Sequence, residues 1–427
     1  MADLNQDLTM QVSRMAGSLI GSEIIKIGNE VNDMIRKGEQ ICNLTIGDFD
    51  PSIFPIPAEL QDKITRAYQS GHTNYPPANG MAALREAAAT FTETRLGLAY
   101  SPTDFLVAGG SRPLIYATYL ALVDPGDKVV FPVPSWNNNH YCHLSSAQAV
   151  MVETRPENNF MPTAEELAPH LAGATLLALC SPLNPTGTVF SKPDLEAICD
   201  LVLAENQRRQ PGEKPLYLLY DQIYWLLTFG ATEHYDPVNL RPALREYTIY
   251  IDGISKCLAA TGVRVGYAFG PAEVIDKMKS ILGHVGAWAP KAEQVATANY
   301  LPETTAVDAF LEQFKEKVQR SLDALHQGLQ ALKADGLPVD SMVPMGAIYL
   351  TAKLDVLGKI APNGQVLSTT KELTSYLISE ARLALVPFSA FGTDGAAPWF
   401  RMSVGGASLE SIEAALPRLR TALQALR

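Results

Sequence analysis

Between residues 105 and 270, seven short apolar runs alternate with segments of helical spacing, and this alternation limits the folds open to the chain more than any other feature. The runs cover residues 105–107, 129–132, 149–153, 176–180, 216–221, 248–252 and 266–269. Most are continuously apolar, as strands covered on both faces must be, and this predicts a mostly parallel seven-stranded sheet in a three-layer α/β/α arrangement. The last two runs stand too close together for a helical crossover, so that pair is expected to be antiparallel.

The flanks read differently. Residues 19–37 place Ile24, Ile27, Val31, Met34 and Ile35 at helical spacing, and Gly38 stands where a C-cap belongs. Residues 41–46 read as a short strand, 47–57 as a loop broken by prolines, and 81–96 as a helix after the turn N-Y-P-P-A-N-G at 74–80. Past Leu301 the strands thin out: a helix over 307–332, strand-like 347–350, a helix over 371–382, strand-like 385–387 and 400–404, and a final helix over 409–426. The expected division is a large domain over 51–300 and a smaller α+β domain built from 1–50 and 301–427, because the N-terminal piece is too short to bury a core alone.

A chain of 427 residues, 47% hydrophobic, is long enough for two such domains. Its net charge of −11, with no block of lysine or arginine, argues against a nucleic acid or an anionic membrane as partner. The N-terminus lacks the pattern of a signal peptide, and no apolar run approaches the ~18 residues of a membrane span. Five cysteines are scattered without C-x-x-C spacing, which fits neither a disulfide framework nor a zinc site, so a cytoplasmic protein is expected. Cys142, His140 and His143 crowd one predicted helix and cannot close a tetrahedral site, and no metal is assigned.

Chemistry concentrates in S-K-C-L-A-A-T-G-V-R-V-G at 255–266, between the sixth and seventh runs. Lys256 emerges just past a strand end beside the Ser255 hydroxyl, and Arg264 returns from the far side of the turn. Two cations and a hydroxyl in one small volume suit a phosphate with a reactive amine beside it; the alternative is a solvated loop with two unrelated basic residues. Four further segments accompany it: V-A-G-G-S-R at 107–112, S-P-L-N-P-T-G at 181–187, Y-D-Q-I-Y at 220–224 and R-M-S-V-G at 401–405.

In this order and at these separations the five segments resemble the fold-type I, class I/II aminotransferases, which use pyridoxal 5′-phosphate, and the resemblance runs from Gly47 to Arg401. It implies the PLP-dependent transferase fold and a role for each segment, and residue chemistry agrees. Lys256 is the amine that bonds to the cofactor aldehyde, since a desolvated lysine near other cations favours its free-amine form. Asp221, at the carboxyl edge of a buried strand, pairs with the pyridine nitrogen, or else caps a following helix. Asn184, held between Pro182 and Pro185, donates to the phenolic oxygen, or else is an Asn-Pro turn; Tyr224, three residues after Asp221 and on the same face of a starting helical turn, donates to the same oxygen. Gly110, Ser111 and Arg112 open a helix that receives the phosphate, with Ser255 and Arg264 completing the cup, unless Ser111 is only a helix cap. Trp136 stacks on the ring, or is a core tryptophan.

Three roles come from the resemblance. Tyr75 matches a tyrosine that in the family reaches the phosphate of the neighbouring subunit, implying a homodimer with shared active sites. Arg401 matches the clamp on the substrate α-carboxylate, with a surface ion pair as its alternative, and Gly47 brings backbone to the same carboxylate. Departures are Gln222 where glutamate is common, the run 137–139 followed by His140, and Trp288 with Lys291 where small polar residues are frequent.

The expected activity is ping-pong transfer of an amino group between an L-amino acid and a 2-oxo acid. The alternative on the same cofactor is β-elimination, as in a C-S lyase. A ligand-binding regulator would need an added DNA-binding domain, and residues 1–46 carry no basic helix-turn-helix signal. Side-chain preference stays open between a dicarboxylic substrate, with Lys291 of a neighbouring subunit as the second cation, and an apolar or aromatic one favoured by Ile53, Phe54 and Trp288.

Overall fold

The computed structural model describes residues 12–19, 21 and 23–427; the reading of the first 11 residues as free of a leader pattern lies outside them. The seven predicted runs all form strands: β1 (Phe105–Ala108), β2 (Lys128–Val133), β3 (Gln148–Glu153), β4 (Ala174–Cys180), β5 (Tyr217–Asp221), β6 (Thr248–Gly253) and β7 (Gly266–Phe269). They join in one sheet of order β1-β7-β6-β5-β4-β2-β3, parallel throughout except for β7, which runs antiparallel to both its neighbours.

Successive residues of each strand enter different cores, and this explains why the runs are continuous. Val107, Leu177, Leu218 and Tyr250 face a core shared with the helices Ala82–Leu96, Lys192–Arg208 and Lys291–Tyr300. Their neighbours Leu106, Leu176, Leu219 and Ile249 face a second core with the helices Ser111–Leu122 and Ala272–Val285. Each such side chain, fully withdrawn from water, contributes about 1.5–3 kcal/mol.

A second, antiparallel sheet is built from β8 (Val339–Ser341), β9 (Tyr349–Leu354), β10 (Val386–Pro387) and β11 (Trp399–Ser403), in the order β10-β11-β9-β8. It packs on the long helix Thr304–Ala334 and on the final helix Leu409–Gln424 through Val318, Leu322, Leu350, Phe400 and Leu419. The predicted opening helix is α1 (Glu23–Arg36), ahead of which lies a five-residue turn of helix, Arg14–Ser18, that periodicity did not indicate.

Two expectations fail locally. The strand expected over 41–46 shrinks to Cys42–Asn43, paired in parallel with Leu383–Ala384. Beyond it the carbonyls of Leu44, Thr45 and Ile46 are taken by the Ser403 backbone amide, the Arg401 guanidinium and the Ser403 hydroxyl, so β11 holds the segment mainly with side chains instead of a ladder. The chain after Asp221 turns twice instead of starting a helix. Amides of Trp225 and Leu227 close tight turns on Gln222 and Tyr224, while the Trp225 indole donates to buried Asp252 at 2.8 Å, and these contacts outweigh helix propensity. Tyr224 therefore reaches its position from a turn and not from the face of a helix.

Gly266 at the start of β7 lies against the backbone of Gly110 and Ser111, where a Cβ would come within 2.6 Å of the Gly110 carbonyl carbon. Gly266→Ala is expected to lower stability by about 1–3 kcal/mol through forced separation of strands. A fall in the thermal midpoint by calorimetry checks this.

Candidate active site

The segments that follow β1, β2, β4, β5 and β6 all contribute to one cavity of about 520 Å³, and the antiparallel β7 begins at the same edge. Of the residues singled out in the sequence, Gly47, Ser111, Arg112, Trp136, Asn184, Asp221, Tyr224, Ser255, Lys256, Arg264 and Arg401 line it. Gly110 stands one residue behind, as the N-cap of the helix Ser111–Leu122, with φ +97°.

That helix begins where β1 ends, so its free amides and the positive end of its dipole face the cavity. Arg264 sits in the left-handed region at φ 60° and lies along the Gly109–Gly110 turn, donating to the carbonyls of Thr261 at 2.7 Å and Gly109 at 2.6 Å. Any side chain at Gly110 would collide with the Arg264 guanidinium. With Ser111 and buried Ser255 these groups form a concave anion cradle.

β6 ends at Gly253, and the single turn Ile254–Cys257 carries the Lys256 side chain into the cavity, where Nζ donates to the Gly47 carbonyl at 2.6 Å. Burial pushes its pKa down to about 8; Arg401, Arg112 and Arg264 act in the same direction, and Asp48 opposes them. Asp221 closes β5 with Oδ1 accepting the Ile223 amide at 3.1 Å. Burial pushes its carboxyl up to about 6 against that hydrogen bond and against Lys256. A carboxyl so held by one amide lacks a cationic N–H donor that would keep it ionised.

Arg401 on β11 is 2% exposed, and no carboxylate lies within ion-pair distance among the described residues. Its Nη1 donates to Asn184 Oδ1 at 3.0 Å and its Nη2 to the Thr45 carbonyl at 2.5 Å, while Nε has no partner. The guanidinium lies over the rings of Tyr349 at 4.7 Å and Phe391 at 4.9 Å. Because Arg401 occupies the Asn184 carbonyl oxygen, the Asn184 amide nitrogen remains as a donor. Trp136 also lines the cavity, with the Arg112 guanidinium 5.1 Å from its ring, so one indole face is already covered.

Tyr75 is not brought into this cavity. It is 80% exposed and meets Trp288 edge-on at 5.2 Å, beside Lys291, which donates to Asn74 at 2.7 Å. His140, Cys142 and His143 lie together on the helix Asn138–Ser145, as the sequence suggested, and His143 bonds the Met15 carbonyl at 2.8 Å.

The sequence reading missed three contributors. Tyr349 stands on β9 beside Arg401, in a register that pairs Tyr349 with Ser403 and Thr351 with Arg401 and that the sequence alone does not show. Asp48 faces the cavity from the loop after Gly47, and α1 lays Ile24, Gly28 and Asn32 along one wall at helical spacing.

The residues fit pyridoxal 5′-phosphate. The cradle suits its phosphate, the under-donated Asp221 suits a protonated ring nitrogen, Asn184 Nδ2 suits a phenolic oxygen, and a lysine of lowered pKa stands between them.

Comparison with known proteins gives an independent line. The model of the family described as aminotransferase class I and II matches residues 39–419. The aspartate aminotransferase of Rhizobium meliloti strain 1021 is 31% identical over 408 residues, which is 95% of this chain and 94% of that one. Among solved structures, the aspartate aminotransferase of Rhizobium meliloti superposes with a TM-score of 0.88 at 29% identity, covering 98% of this chain and all of the other. The Thermus thermophilus aspartate aminotransferase with maleate gives 0.85 at 30% identity, over 97% of this chain and 100% of that one.

In the cofactor-free protein Lys256 is expected to reach half-maximal reactivity toward a small electrophile near pH 8 instead of its ordinary 10.5. Between those pH values the unfolded chain holds the extra proton, so stability lost to the buried ammonium is regained as pH rises through the window. Site-resolved labelling across pH measures the first effect, and denaturant melts of the parent against Lys256→Met measure the second.

Proposed function

Because the chain belongs to the aminotransferase class I and II family, we propose that the cavity at the sheet edge is its transamination site, with Lys256, Asp221 and Arg401 as the residues that operate it. The enzyme is an aminotransferase: it moves an amino group between an amino acid and a 2-oxo acid, and relatives of the aspartate aminotransferase type use pyridoxal 5′-phosphate. The observation that carries the site assignment is a fully buried guanidinium without a carboxylate partner, opening onto the same cavity as a lysine whose pKa is lowered to about 8.

The cofactor supplies an aldehyde that takes the amino group and a ring that draws electrons from the substrate Cα. The chain does the rest. Arg401 takes the α-carboxylate in a bidentate grip, with Asn184 and the Gly47 backbone beside it, and so offsets the cost of a buried unpaired charge. Gly110, Ser111, Arg112, Ser255 and Arg264 hold the phosphate, and Trp136 offers its free indole face to the ring. Asp221 holds a proton on the ring nitrogen, while Asn184 and Tyr224 donate to the phenolic oxygen. Lys256 Nζ would serve as the base that takes the substrate Cα proton and gives it back, and its lowered pKa keeps it a base near neutrality.

Tyr75 and the exposed guanidinia of Arg112 and Arg264 support a homodimer in which Tyr75 of one subunit completes the phosphate cup of the other. The same patch carries Lys291, which gives a dicarboxylic substrate its second cation across the interface. Relatives named for aspartate, and one solved with maleate, support that substrate class. Five unpaired cysteines suit the cytoplasm, and among the described residues no helix is long and apolar enough to cross a membrane. We assign residues 51–300 to the cofactor-binding domain and 1–50 with 301–427 to the smaller one.

Lys256→Ala is expected to lose the borohydride-reducible bond to the cofactor while its circular dichroism is unchanged; a reducible bond at another lysine would reassign the amine. Arg401→Gln should raise KM for amino acid and oxo acid alike by about 30-fold or more, the worth of a buried hydrogen-bonded charge pair. Steady-state kinetics with both substrates read this out. Aspartate without an oxo acid should give one stoichiometric bleaching of the visible band and no continuing turnover, whereas sustained release of product would indicate elimination. Sedimentation at twice the chain mass of 46.3 kDa tests the dimer.

A further inference from the structure

We infer that Tyr349 is a positioning residue of this reaction: its hydroxyl fixes the direction in which Tyr224 donates, and its ring supports Arg401, so one side chain ties the carboxylate site to the amine site. The inference rests on the roles given above to Tyr224 and Arg401.

Tyr349 and Tyr224 are 1% and 3% exposed, and their hydroxyl oxygens lie 2.5 Å apart with rings edge-to-face at 5.5 Å. Neither hydroxyl has another hydrogen-bond partner among the described residues. Two hydroxyls bring two protons to one contact. One proton fills the contact and the other must point away from the pair.

The surroundings decide which way. A Cβ on Gly47 would fall 2.6 Å from the Tyr349 hydroxyl, so the backbone packs against that end of the pair, and the Gly47 carbonyl is already taken by Lys256. Tyr224, whose ring lies 5.6 Å from Lys256 Nζ, is the end next to the amine. An acceptor beside Lys256 therefore orders the protons as Tyr349 to Tyr224 to acceptor, and each donor in such a chain strengthens the next.

The ring contributes separately. Tyr349 pairs with Ser403 across the ladder, two residues from the Thr351–Arg401 pair on the same face of the sheet, which places its ring under the guanidinium at 4.7 Å. Charged and titratable groups facing the two phenols are Arg401 from β11, Cys180 from β4, Asp48 from the Gly47 loop and Lys256 from the turn after β6. Burial raises both phenols, so both stay protonated, and the nearby Arg401 opposes that rise at each of them.

The experiment uses holoenzyme carrying pyridoxal 5′-phosphate and compares the parent with Tyr349→Phe, Tyr349→Leu, Tyr224→Phe and the double Phe variant, each checked for folding by circular dichroism. The first readout is the pH titration of the visible band. With Tyr224 donating less strongly, the phenolic oxygen holds more charge and keeps the proton it shares with the Lys256 nitrogen to higher pH. Tyr349→Phe should raise the midpoint by about two- to tenfold in proton affinity, the worth of one hydrogen bond. Its KM should match the parent because the ring under Arg401 remains, whereas Tyr349→Leu should raise KM as well. The double Phe variant should shift no further than Tyr224→Phe alone. A Tyr349→Phe holoenzyme that titrates like the parent, or Phe shifts that simply add, overturns the inference. A parent that forms no reducible bond at Lys256 overturns the assignment of the site together with it.

Discussion

The cavity at the edge of the large sheet is held open by an imbalance of charge. Lys256, Arg112, Arg264 and Arg401 face it against only Asp48 and Asp221. Of these, Arg401 is withdrawn from water with a hydrogen-bond donor unspent. Desolvation makes such a group costly unless an anion arrives, and the cost is reduced because one N–H each of Nη1 and Nη2 bonds Asn184 and the Thr45 carbonyl. The same withdrawal from water lowers the pKa of the Lys256 amine and of the Arg401 guanidinium and raises that of the Asp221 carboxyl, so one physical cause acts on all three groups.

The two sheets contribute unequal things to this arrangement. Parallel strands deliver their carboxyl ends to one line, which fixes Asp221, Lys256 and the phosphate-facing helix terminus relative to one another through the backbone ladder itself. The antiparallel sheet delivers Arg401 and Tyr349 as diagonal neighbours on one face. They meet the first set through Asn184 and Tyr224. In the proposed function the substrate's carboxylate is thus recognised from one sheet and its amino group handled from the other.

Much of this could be read from the chain. Strands buried on both faces leave a continuous apolar signature, and all seven runs of the large sheet were visible for that reason. Residues at strand ends, such as Asp221 and Lys256, were legible because the strand that carries them was. Tyr224 does line the cavity, but not from a helix: propensity after Asp221 suggested one, and the chain makes a double turn in which Trp225 bonds Asp252. Tyr349 escaped notice because a tyrosine inside an apolar strand looks like core until its cross-strand partner is known. Ile24 and Gly28 of α1 escaped for a related reason, since helical spacing shows which residues share a face but not what that face covers. Tyr75 is exposed beside Trp288 and outside the cavity, and the role proposed for it depends on a second subunit.

The wall that α1 presents to the cavity belongs to neither sheet. The helix is tied in by Val31 packing against Ile41 and Ala384, next to a ladder only two residues long. Replacing the residues it turns toward the cavity would leave the ladders and the concave anion cradle untouched. Wall and sheets are separable parts, so the shape of the cavity can change while Lys256, Asp221 and Arg401 stay where the strands put them.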